Sequence, residues 1–156
     1  MNWVEEITQQ SSVHSPSAHE HAPLAHERED VARARILLAQ QKPALAISLL
    51  EPLSDIAERQ ERWSHVIEMK VLQALAHTLR NEDQAALTAL AQAVHLAEPE
   101  GFIRIFADEG AAMATLLSRL RDQERMQGPT AYLDTLLAVF SPGSATHKPS
   151  SPTVVI

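Results

Sequence analysis

Four histidines crowd the start of the chain. His14, His19, His21 and His26 lie in or beside the stretch SSVHSPSAHEHAPLAH, residues 11–26. Imidazoles so close together are the natural ligands of zinc, copper or nickel. The surrounding Ser and Pro residues read as a loop, no carboxylate–histidine geometry is fixed there, and there is no cysteine to help. A solvated low-complexity stretch is the simpler account, and no metal site is assigned. A second group of chemically capable residues is Glu98, Glu100, Asp108 and Glu109, set around Arg104. Paired carboxylates do general acid–base work when they converge on a pocket that shifts their pKa values. These stand at helix ends, where capping and surface pairing already give acidic residues a role. His65, His77 and His95 fall on helical stretches with no partner that the sequence can name. Ser118-Arg119-Leu120-Arg121 with Arg125 makes a small basic patch, but Asp122 and Glu124 interrupt it, which is the pattern of a solvated face. There is no Walker-type phosphate loop, no GxSxG, no HExxH and no nucleophile beside a fixed base. The expectation is a protein that binds rather than catalyses, with no cofactor.

Composition bounds the partners. The net charge of −7 argues against a grip on nucleic acid, which needs clustered Lys and Arg. No apolar run reaches the length of a membrane span. The opening MNWVEEITQQ has neither the basic nor the apolar region of a signal peptide. With no cysteines there is no disulfide framework, and a cytoplasmic location is the expectation. Hydrophobic residues make up 45% of the chain but aromatics only 4%, so Ala, Leu, Ile and Val must build the core. Four glycines among many alanines favour helix over sheet.

Periodicity then supplies the elements. The spacing predicts a short helical end around Trp3, Val4 and Ile7, a loop to residue 26, and a first helix from Glu27 to Gln41 with Val31, Ala34 and Leu38 on one face. A second helix, Pro43 to Arg59, carries the stripe Ala46, Leu49, Leu50 and Leu53, with Pro43 suited to its first turn and Pro52 expected to kink it. A third runs from Glu61 to Leu79 and a fourth from Asp83 to Glu98. Ala46, Ile47 and Leu50 recur forty residues later as Ala86, Leu87 and Leu90, the signature of stacked helical hairpins. Pro99 and Gly101 stop the fourth helix. Phe102, Ile103, Ile105 and Phe106 are expected to plug the neighbouring groove, and Asp108 to N-cap the next helix. That helix carries Met113, Leu116, Leu117 and Leu120. A last one carries Leu133, Leu136, Leu137 and Phe140. The division is therefore residues 1–26, a helical-repeat domain over 27–140, and a Pro/Ser/Thr-rich tail, 141–156, expected to be disordered.

The stretch Leu96–Leu117, LAEPEGFIRIFADEGAAMATLL, resembles the end of the helical-repeat sensor region in large ATP-dependent LuxR-type transcriptional regulators, the group typified by the maltose regulator. The resemblance extends outward to Trp3-Val4-Glu5-Glu6, Pro23-Leu24 and Ala34–Gln40, to Val66-Ile67-Glu68 with Leu72–Ala76, and to Ala131-Tyr132-Leu133 with Leu136–Phe140. It implies an all-α fold of antiparallel, tetratricopeptide-like hairpins with a C-terminal helical cap. It also implies that Met1 begins inside the family's superhelix, and a sensor role in transcription regulation in which an effector relieves autoinhibition. Neither the family's ATPase module nor its DNA-reading helix pair is matched by residues of this chain. Two roles follow. One is a regulatory region that binds an effector or a protein partner on a concave surface lined by the first and third helices, with Arg33, Gln40, Trp63, Glu68 and Gln73 as candidates. The other is a free-standing structural or oligomerisation module that self-associates through exposed hairpin faces.

Overall fold

Every twenty residues the backbone turns left-handed. Gln41, Glu61, Asn81 and Gly101 take φ of 59°, 55°, 59° and 66° in the computed structural model, which describes residues 21–141. Each ends a helical run in the same way. The residue after the left-handed one donates its N–H back to the carbonyl five positions earlier: Lys42 to Leu37 at 2.8 Å, Arg62 to Ala57 at 2.9 Å, Glu82 to His77 at 2.9 Å and Phe102 to Ala97 at 3.3 Å. The left-handed residue itself donates three positions back, as from Glu61 to Glu58 at 3.0 Å. This is the Schellman arrangement, which satisfies carbonyls that a helix end would leave orphaned. After the first three, the next helix starts two residues later, at Pro43, Trp63 and Asp83. The forty-residue hairpin repeat is thus built from a twenty-residue helix-plus-turn unit.

Among the described residues the elements are α1 (His21–Ala39), α2 (Pro43–Arg59), α3 (Trp63–Leu79), α4 (Asp83–Ala97), α5 (Arg104–Ala107), α6 (Ala111–Glu124) and α7 (Ala131–Ala138), with a 3₁₀ turn at Glu98–Glu100. Successive helices pack side by side as two antiparallel hairpins, α1–α2 and α3–α4, and α6 then covers α4. The fold is all-α, as the periodicity and the resemblance imply. Helix α1 begins six residues before the expected Glu27, so His21 and His26 stand on a helix rather than in a loop. The Pro at position 23 falls in its first turn, where a missing N–H costs nothing. The expected segment around Trp3, His14, His19 and the tail beyond Ser141 lie outside the described residues.

Two clusters of buried side chains form the core. One joins α1, α2 and α3 through Val31, Ala34, Ala46, Leu50 and Leu72; the other joins α3, α4, α6 and α7 through Ile67, Leu90, Met113, Leu117 and Leu133. Leu75 and Leu96 touch both. Repeat-equivalent positions share the same burial: Ala46, Val66 and Ala86 are all completely enclosed. Ser54 breaks the pattern. It occupies the place of Ala34, Ala74 and Val94, is 1% exposed, and its hydroxyl has no hydrogen-bond partner. Helix α2 continues through Pro52. The Ser48 carbonyl that loses its donor there belongs to the exposed side of the helix, where water can serve it.

After α4 the chain reverses at Gly101, and Phe106, fully buried on α5, fills the expected plug position. Asp108 is not the N-cap expected of it. It closes α5, and Gly110 stands at the α6 N-cap with φ 75°, ψ −155°, because the turn between the two helices needs a backbone conformation that a side chain resists. The hydroxyl of Tyr132 on α7 donates to the Phe102 carbonyl, pinning the C-terminal helix to the reversal.

Two substitutions test this account of the backbone and core. Glu61→Gly relieves a left-handed, non-glycine turn residue, and Ser54→Ala removes an unsatisfied buried hydroxyl. Each raises the unfolding free energy by about 0.5–1 kcal/mol in thermal or urea melts. A loss of stability in either variant would contradict the corresponding argument.

Candidate functional site

Helices α1 and α3 lie alongside each other and leave a groove between them. Its α1 wall rises from Arg28 through Ala32 and Arg35, positions three or four apart and hence on one face, and continues to Leu38. The groove has two ends. The first holds about 280 Å³ and is lined by Glu27, Arg28, Val31, Ala32, Arg35, His65 and Glu68. The second holds about 240 Å³; Leu38, Leu72, Leu75, Leu79 and Ala112 make it predominantly apolar, with Thr78 and Glu109 at its edge. Arg35 belongs to both.

Ion pairs fix the polar end. Glu27 is only 5% exposed although it sits in the second turn of α1. The Arg62 guanidinium, just ahead of α3, meets it with two nitrogens at 2.5 Å, and His65 Nδ1 stands 2.5 Å from Oε1. Since a carboxylate only accepts, Nδ1 is the protonated ring nitrogen in that contact. Burial alone would raise the Glu27 pKa, but the hydrogen bonds and charges of Arg62 and His65 outweigh it, and the carboxyl is held below its ordinary 4.5. The Arg62 guanidinium is raised in turn, chiefly by its hydrogen bonds to Glu27.

Arg35 makes the second tie. One nitrogen reaches Glu68 on α3 at 3.0 Å, and the other reaches Glu109, 74 residues along the chain, at 2.6 Å. Burial works to lower its pKa, but the two carboxylates prevail and raise it. Because Glu109 lies between α5 and α6, this one guanidinium links the first helix of the repeats to the segment that follows them.

Of the residues singled out from sequence, Glu68 lines this groove and the other four do not. Gln73 is buried, at 6% exposure, inside the hairpin packing. Arg33 points away from the groove and stands 3.6 Å from Asp30 on its own helix. Gln40 is exposed in the turn after α1. Trp63 lines a different hollow of about 330 Å³, with Glu58, Lys70, Gln92, His95 and Leu96. The charged and polar groove residues outside those five candidates include Glu27, Arg28, Arg35, His65 and Glu109, of which the sequence draws notice only to His65, without a partner, and to Glu109, as one of the carboxylates around Arg104. Which of the charges on α1 meet α3 depends on the angle at which the helices pack.

The carboxylates around Arg104 do not converge. Glu98 and Glu100 sit in the 3₁₀ turn, Asp108 closes α5, and Glu109 is engaged by Arg35. Among the described residues no group of three or more His, Asp or Glu side chains could hold a metal ion, and no helix is long and apolar enough to cross a membrane.

Comparison with known proteins gives one finding. The family model described as the MalT-like TPR region matches residues 1–123. No curated protein and no solved structure matches the chain.

The Glu27 cluster predicts a pH signature. A carboxyl with a depressed folded-state pKa contributes stability that is fully present above 4.5 and is lost as the pH falls through its folded value. Glu27→Gln should cost about 1–2 kcal/mol at pH 7, less than a fully enclosed pair, since the Arg62 and His65 side chains are 20% and 37% exposed. The gap between variant and wild-type melting temperatures should close as the pH drops below 4.5. A gap independent of pH would remove the charge from the explanation.

Proposed function

The chain belongs to the family of MalT-like TPR regions, and from that premise we propose that it is a non-catalytic regulatory binding region whose effector or protein partner occupies the α1–α3 groove. One observation carries the reading: the groove is the place where a polar, ion-paired pocket and an apolar pocket adjoin, with Arg35 common to both. Ligand sites characteristically combine an apolar lining with a few fixed polar groups. The Arg35 tie to Glu68 and Glu109 supports a regulatory role, because an occupant that disturbs it acts at once on the first hairpin and on the segment leading to α6. A sensor role in a LuxR-type transcriptional regulator of the cytoplasm fits the same arrangement.

The groove can be plugged without touching the core, since Ala32 and Ala112 are exposed residues of its two ends. Small molecules and peptides that raise the melting temperature of the wild-type chain should lose that effect with Ala32→Trp or Ala112→Trp, while both variants keep the wild-type circular dichroism. Stabilisation that survives both plugs would place the binding elsewhere.

A second reading, self-association, rests on the first hairpin, where Ile36 and Leu45 are each 57% exposed. Apolar side chains left in water gain when a second copy covers them. Light scattering over a concentration series should show a mass that rises toward the dimer and returns to monomer with Ile36→Glu. A constant monomer mass would dismiss it.

A further inference from the structure

The charges along the groove do not balance residue by residue. Its three lining carboxylates are all engaged: Glu27 by Arg62 and His65, Glu68 and Glu109 by Arg35. Among its cations Arg62 and Arg35 are engaged in the same pairs. Arg28 is the exception, an exposed guanidinium on the polar wall with no carboxylate within ion-pair distance among the described residues. An occupant covering it would strip away water, and that is costly unless the occupant supplies a negative charge. A cationic occupant lying against Arg28 would be repelled by it. A neutral one would leave Arg28 desolvated and unmatched. The far end of the groove asks for the opposite chemistry, being walled by Leu38, Leu72, Leu75 and Leu79. Arg28 and Leu38 are ten residues apart on one helix, about 15 Å by its rise, a distance comparable with the length of a medium-chain acyl group. Between them the aliphatic stem of Arg35 can lie along a hydrocarbon chain while its head stays with Glu68 and Glu109.

We propose that the α1–α3 groove binds an amphipathic carboxylate, its hydrocarbon body among the leucines and its carboxylate on Arg28. This rests on the reading of the groove as the binding site and names the chemical class of its ligand. Arg28 confers the head-group selectivity, and the apolar end supplies most of the affinity through burial of hydrocarbon surface.

The test uses the whole chain and three probes that share one tail, namely decanoate, decylamine and decanol, titrated calorimetrically below the concentrations at which they form micelles. Decanoate should bind with one site per chain, at least about tenfold more tightly than the amine or the alcohol. Arg28→Ala should weaken decanoate at least about tenfold, the loss of its preference over the alcohol, and leave decanol unchanged. Arg28→Lys should recover part of the loss. Ala112→Trp should abolish binding of all three, with melting curves verifying that each variant is folded. Equal affinity for the three head groups, or an Arg28→Ala chain that holds decanoate as well as wild type, overturns the proposal. So does uptake of several decanoates per chain that Ala112→Trp does not reduce, which is adsorption to the surface. If decanoate fails while other stabilising compounds remain sensitive to the plugs, the ligand class alone is wrong. If nothing that binds is sensitive to the plugs, the groove itself is wrong.

Discussion

Each long helix of the repeats must stop within the same number of residues and release the chain in the same direction. The left-handed residue at positions 41, 61, 81 and 101 imposes this. It lets two N–H groups turn back onto the last helical turn, satisfying carbonyls that would otherwise be orphaned at a packed helix end. Because the stop recurs at a fixed interval, successive helices have matched lengths and present equivalent faces. Ala46, Val66 and Ala86 can then be enclosed in the same way. Three of these four positions are filled by Gln, Glu and Asn, which bear the conformation at some cost. That the turn persists there shows how strongly the hairpin packing on either side determines it.

Uniform stacking creates the groove. Helices α1 and α3 occupy equivalent places in successive hairpins, so they lie alongside each other and leave a channel wherever their facing side chains are small or turned aside. The sequence places charges at one end of that channel and leucines at the other. Buried or half-buried charges must be paired. Glu27 with Arg62 and His65, and Arg35 with Glu68 and Glu109, meet that requirement with residues drawn from both sides and from beyond the repeats. The same pairs that relieve desolvation also tie the first helix to α3 and to the start of α6. The walls of the channel and the arrangement of the helices around it are for this reason physically connected.

Much of the fold could be read directly. Helix type, the hairpin order and most helix ends follow from apolar periodicity and from the turn residues between the stripes, and the interruption at Pro99–Gly101 marks the end of the repeats. Two local readings failed for local reasons. Helix α1 extends back to His21 because Pro23 falls in a first turn that tolerates it. Asp108 closes one helix instead of opening the next, because the single turn of α5 takes up Arg104–Ala107 and leaves Gly110 as the residue able to adopt the turn.

What the sequence by itself determined is whatever depends on neighbours along the chain: the helices, their twenty- and forty-residue spacing, the glycine and proline stops, and the resemblance carried by Leu96–Leu117. Only the tertiary structure decided which charges meet. Arg35 and Glu109 are 74 residues apart, and Glu27 and Arg62 are 35 apart. At those separations pairing is set by the rotation and register of packed helices, which hydrophobic periodicity leaves free within a turn. Gln73 shows the same limit from the other side. It is a polar residue that periodicity could assign to a binding face, yet it is enclosed by the hairpins because of the angle at which α3 meets its neighbours.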